Sequence, residues 1–135
     1  MQDNIENSFM EEKKNVRIEK NTLSGCIVEA LQEKKAQSIV KLDLSHLGLS
    51  MFDKFIVCTA TSNTHAEALL DNIYMKVKSQ LSLLPSHVEG AKNAQWIVVD
   101  YFDTVVHIFL SDMRSFYDIE GLWADAKRTE YKDEE

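Results

Sequence analysis

Residues 96–123 read WIVVDYFDTVVHIFLSDMRSFYDIEGLW, and this stretch decides the fold. Two runs rich in Val, Ile and aromatic residues flank an Asp-punctuated centre at residues 100–103. That is the pattern of two strands joined by a tight turn. With Phe102 and Asp103 as a two-residue loop, Tyr101 faces Thr104, Val99 faces Val106 and Ile97 faces Ile108. This face is nearly all β-branched hydrocarbon and predicts a core. The opposite face pairs Trp96 with Phe109, Val98 with His107 and Asp100 with Val105. It mixes a large aromatic, an acid and an imidazole, a combination suited to docking. Beyond it, Ser111 or Asp112 is placed to cap a helical turn through Phe116, and residues 118–123 predict a short closing helix.

Upstream, FIVCTA at residues 55–60 is too short and too β-branched for a helix, so it predicts a buried strand. Thr64 and Glu67 have capping-box spacing. Ala66, Leu69, Leu70, Ile73, Val77 and Leu81 form the apolar stripe of a long helix that Pro85 prevents from continuing. Residues 86–95 read as a loop. Nearer the N-terminus, Leu23, Ile27, Ala30 and Leu31 recur at helical spacing to about Lys35, with Thr22 or Ser24 as cap; SIVKLDL at residues 38–44 predicts a strand. The expected boundaries are a flexible extension over residues 1–21, a domain over 22–126 and a charged, frayed tail over 127–135. Helix, strand, strand, helix, strand, strand and short helices make an α/β (α+β) domain: a mixed sheet flanked by helices, with one crossover connection.

At 135 residues and 44% hydrophobic content, the chain has the material for one well-packed core. A formal charge of −7 and no concentrated basic stripe argue against direct nucleic-acid specificity and suit attraction to a basic protein. Cys26 and Cys58 each lie in an apolar run, so buried free thiols in a reducing compartment are expected. No apolar run approaches the roughly 20 residues of a membrane span, and the N-terminus resembles neither a signal nor a transit peptide, so the expected location is cytoplasmic, with no membrane partner.

Catalytic chemistry finds little support. Thr61, Ser62 and Asn63 between strand and helix place small polar residues at a helix N-terminus, where N–H groups can bind an anion, but there is neither glycine nor P-loop lysine. Asp100 and Asp103 are the close acidic pair, and turn formation accounts for them. His46, His65, His87 and His107 are scattered without metal-ligand spacing. The expectation is no catalytic residue, no cofactor and no metal. Partner binding is better supported. Trp96, Tyr101, Phe109, Arg114, Phe116, Tyr117 and Trp123 crowd one quarter of the chain, and Trp, Tyr and Arg dominate interface hot spots. About half of them belong to a core on size alone. Alternatives are an enzyme using the cleft near residues 61–63 and a homodimeric scaffold pairing its aromatic face with itself.

Four words in register, FDKFIVCTATSN at 52–63, HVEG at 87–90, WIVVDYFDTVVHIF at 96–109 and FYDIEGLWADA at 116–126, resemble the ribosomal silencing factor (Iojap-like) family over about residues 23–126. The resemblance implies a nucleotidyltransferase-like fold without its catalytic equipment. It also implies binding to the large ribosomal subunit through its protein fourteen, a basic β-barrel protein, which hinders joining of the small subunit. Mapped onto this chain, the family's docking surface falls on Trp96, Val98 and Asp100, with His107, Phe109, Tyr117 and Trp123 completing the partner-binding set. Ala60, Phe102 and Gly121 depart from the family's usual residues. Phe102 matters most: a turn requiring positive φ there costs a non-glycine residue about 1–2 kcal/mol.

Overall fold

The computed structural model describes residues 18–19, 21–49 and 52–134; the greater part of the expected N-terminal extension lies outside them. Thr22 opens α1 (Leu23–Glu33), its Oγ1 accepting from the Gly25 N–H at 3.0 Å. The segment before it is already part of the body, because Ile18 packs against the core and the Glu19 carbonyl accepts from both the Thr22 N–H and its hydroxyl. The chain continues through β1 (Gln37–Asp43), a 3-10 turn (Ser45–Leu47), β2 (Lys54–Ala60) and α2 (Asn63–Leu81). Ser62, not Thr64, caps α2, accepting from the His65 N–H at 3.0 Å. Ser62 is extended (φ −161°, ψ 169°), as an N-cap requires, and Thr64 already lies inside the helix.

After Pro85 come β3 (His87–Glu89), β4 (Trp96–Tyr101), β5 (Thr104–Leu110), α3 (Ser111–Tyr117), α4 (Ile119–Leu122) and β6 (Lys127–Glu130). Two strands here were not expected. β3 occupies the predicted loop at 86–95; at three residues it has no periodicity to read and exists through its pairing with β4. β6 replaces the frayed tail, its four residues pairing antiparallel with β1. The cap expected from Ser111 or Asp112 is also absent: Leu110 stands at the N-cap of α3 without a side-chain bond.

The six strands lie in the order β3-β4-β5-β2-β1-β6. β2 and β5 run parallel and the other pairs antiparallel, which gives the expected mixed sheet. The hairpin register is the one read from residue parity: Trp96 opposite Phe109, Val98 opposite His107, Tyr101 opposite Thr104. On one side, Ile97, Val99, Val106 and Ile108 pack with Ile56 under α1 and α2. On the other, a second cluster joins Val40, Leu42, Leu44, Phe55, Val57 and Phe109 to Ile119, with Met113 and Trp123 against it. The short α3–α4 arm therefore covers β1, β2 and β5, while β4 alternates half-buried and buried and β3 stays largely open. Both cysteines are free and buried, and burial pushes the Cys58 thiol up to about 12.

Phe102 adopts φ +71° at the first loop position of the hairpin, where primed turns prefer glycine, and the residue is 68% exposed. The Asp100 Oδ1 holds the turn by accepting from the Phe102 N–H at 2.8 Å. Phe102→Gly should therefore raise stability by about 1 kcal/mol, the relief of left-handed strain less glycine's added unfolded-state entropy. A melting temperature that falls in this variant would show that the ring contributes packing.

Candidate functional site

An aromatic ladder crosses the sheet face beneath the α3–α4 arm. Trp96, at the start of β4, stacks on Phe109 of β5 with ring centroids 4.9 Å apart and planes at 25°. Tyr117 at the end of α3 also packs on the indole, with ring centroids 4.6 Å apart and planes at 41°. The Trp96 Nε1–H donates to His107 Nδ1 at 3.1 Å, which assigns the imidazole proton to Nε2. His107 in turn meets Phe55 edge-on at 4.8 Å, and Phe55 meets Trp123 at 6.0 Å and Phe52 at 4.7 Å. Three residues, Phe109, Tyr117 and His107, thus hold the indole in one orientation while part of it remains in solvent.

The sequence-derived residues divide by depth. Trp96, Val98, Asp100 and Trp123 are half-buried and Tyr117 is exposed. Phe109 is fully buried and His107 nearly so, at 7% exposure. Both were expected at the docking surface, and neither offers area to a partner. They back the indole instead. Residue parity places side chains on a face but cannot see a helical arm folding over part of it. Val57 and Thr59 of β2 stand opposite His107 and Phe109 in parallel register, so β2 carries the second cluster into the covered half.

His107 pays for its depth. Burial pulls its imidazole down to about 4, keeping it neutral, and its Nε2–H has no hydrogen-bond partner among the described residues. Arg114 is likewise internal: it forks onto Glu120 at 2.8 and 3.0 Å and donates to the Ser38 carbonyl and Thr59 Oγ1. Arg128 of β6 completes the network on Glu120 at 2.8 Å. The arginines lower the Glu120 carboxyl, and the network pins the α3–α4 arm to strands β1, β2 and β6. Gly121 fits this arm because Asp118 accepts from its N–H, and a Cβ there would meet the Asp118 carboxylate at 2.2 Å.

Several members escaped the reading from residues. Phe52 and Phe55 extend the ladder; Phe52 precedes β2, where strand parity carries no signal. His87 and Glu89 share the open face because β3 pairs His87 with Asp100 and Glu89 with Val98. Gly90 allows that approach: it has φ +82°, and a Cβ would lie 2.0 Å from the Trp96 carbonyl oxygen.

At the start of α2, the location of the alternative cleft, polar groups at Thr61, Asn63 and His65 are bonded within the chain. The Thr61 N–H donates to His65 Nδ1 at 2.9 Å, His65 Nε2 donates to the Lys34 carbonyl at 2.7 Å, and the Asn63 amide donates to the Asn93 carbonyl at 2.6 Å. Asp103 accepts from the Thr104 hydroxyl, and Asp100 is bonded into its own turn. Among the described residues no cluster of three His, Cys, Asp or Glu side chains is placed to hold a metal, and no helix is long and apolar enough to cross a membrane.

Comparison with known proteins places this arrangement. The family model described as "Ribosomal silencing factor during starvation" matches residues 17–135, which includes β6. The ribosomal silencing factor of Chromobacterium violaceum is 38% identical over 106 residues, 78% of this chain and 84% of that protein. A crystal structure of a protein from the same bacterium superposes with a TM-score of 0.72 at 37% identity, covering 76% of this chain and 83% of that one. More distantly, the mouse protein named mitochondrial assembly of ribosomal large subunit protein 1 is 25% identical over 99 residues, 72% of this chain and 43% of its own length. The chain belongs to the ribosomal silencing factor family, whose role is the silencing of ribosomes.

Proposed function

We propose that this protein represses translation by docking on the large ribosomal subunit through its protein fourteen and occupying space the small subunit needs. The observation that carries the reading is the indole of Trp96. It is clamped by Phe109, Tyr117 and His107, yet part-exposed at the margin of the α3–α4 arm, where the open strip of sheet begins. A pre-oriented aromatic loses little conformational freedom on binding, which is the property of an interface anchor. Val98 extends the apolar surface along β4 and Asp100 ends it with charge. Tyr117 and Trp123 contribute from the arm. The mouse relative's name points to the same ribosomal subunit. Such an action needs no catalysis, because bulk at the subunit interface is sufficient. The location that follows is the compartment that holds the ribosomes.

The test is co-sedimentation of the protein with purified large and small subunits, followed by light scattering of subunit joining. Binding to the large subunit alone, with joining slowed in proportion to occupancy, is the expected result. Binding that leaves joining unaffected would overturn the steric mechanism, and absence of binding would overturn the reading as a whole. Sedimentation velocity of the free protein checks the homodimer, which would compete for the same aromatic surface.

A further inference from the structure

Resting on that reading, we infer that the open strip is a lysine or arginine receptor on the protein partner's behalf: Glu89 of the edge strand and Asp100 of β4 form a two-carboxylate fork across Val98. The pairing of β3 with β4 sets the geometry. His87 lies opposite Asp100 and Glu89 opposite Val98, so four neighbouring positions on one face hold an imidazole, two carboxylates and a half-buried valine. Diagonal neighbours in such a pair lie about 7–8 Å apart, a span that one extended basic side chain can bridge with its stem on the valine.

Charge accounting within the fold supports the assignment. Lys76 is taken by Glu29 and Glu33, Arg114 by Glu120, and Arg128 by Glu120 and Glu130. Glu89 has His87 instead, at 2.7 Å, with the imidazole Nε2 donating to its carboxylate. That contact orients Glu89 while leaving the pair open to solvent, with side chains 63% and 69% exposed. Asp100 commits Oδ1 to the Phe102 N–H, which fixes the carboxylate and leaves Oδ2 for a second donor. Two carboxylates of like charge beside a part-exposed valine, Asp100 held by its turn and Glu89 directed by His87, disfavour an acidic partner and select a basic one. An apolar anchor at Trp96 with a charged margin at Glu89 and Asp100 is also the anatomy of a protein-binding patch. Glu89 is thus a specificity-determining residue.

The experiment measures binding of the full chain to purified large ribosomal subunits at stepped KCl. Glu89→Gln should weaken binding about 5-fold at low salt and flatten the salt dependence, while Glu89→Lys should weaken it about 30-fold or more. Both substitutions sit on an exposed side chain, and unchanged melting temperatures will show that the fold is kept. Trp96→Ala separates the two claims because it removes the anchor at every salt concentration. If Trp96→Ala abolishes binding while Glu89→Lys binds as tightly as wild type with the same salt slope, the fork is overturned and the docking face stands. If wild type does not bind, both fall.

Discussion

Trp96→Ala is expected to lose affinity for the large ribosomal subunit by about 100-fold, in the range of a central aromatic hot spot. The expectation follows from the way the indole is held. Stacking on Phe109, contact with Tyr117 and the bond to His107 fix its orientation before any partner arrives. The same contacts carry a cost for the experiment. Truncation removes the packing against Phe109 and Tyr117 and leaves His107 Nδ1 without its donor, so the variant should also melt several degrees lower. A stability loss of about 2–3 kcal/mol is expected for a half-buried aromatic of this size. Val98→Arg removes that ambiguity. Val98 is only partly buried, and the new guanidinium would lie between Glu89 and Asp100, satisfying them internally while obstructing the strip. Docking should be lost with no fall in melting temperature. Retention of wild-type affinity by Val98→Arg would place the interface elsewhere. Asp100 requires similar care: Asp100→Ala also removes the acceptor of the Phe102 N–H, whereas Asp100→Asn keeps an acceptor and removes only charge.

The hairpin could be read from residues 96–110 because both faces alternate cleanly and the loop is short enough to fix register, and the observed partners follow residue by residue. The two helices that bury the first face were equally legible from their apolar stripes. β6 was hidden because KRTE has no alternation of hydrophobicity, and its place depends on β1 and on the Arg128–Glu120 contact eight residues away. β3 was hidden for a similar reason, although Gly90 marked the place where the backbone passes close to Trp96. For the site, parity found the right face but not its depth. Phe109 and His107 lie beneath the level at which Trp96 and Val98 meet solvent, because Ile119 and Met113 of the arm close over that half of the sheet. Arg114 looked like an interface residue by type, and its fork onto Glu120 depends on a turn at Asp118 with φ 45° that no local pattern announces.

Stability should fall as pH drops from about 6.5 to about 4, and His107 should account for most of the fall. In the unfolded chain an imidazole takes up its proton near pH 6.5, whereas in the fold burial defers uptake to about 4. Between those values the unfolded state binds the additional proton, so each pH unit lost costs up to about 1.4 kcal/mol, and the whole window costs about 3 kcal/mol. Above the window the neutral ring contributes in full, accepting from Trp96 and packing between Phe55 and Phe109. The acids held below their ordinary range, Glu33, Asp43 and Glu120, add their own loss at lower pH, so the two phases separate. His107→Gln keeps an acceptor for the indole but has no proton to gain. Urea unfolding at half-unit steps from pH 7 to 4 should show a sloping profile for wild type and a markedly flatter one for this variant. Below about pH 4 a protonated ring can no longer accept from Trp96, and the indole emission should shift in wild type alone. Parallel profiles for the two proteins would mean that the ring titrates as it does in water, and the anchor beneath the docking face would then owe nothing to a buried, neutral histidine.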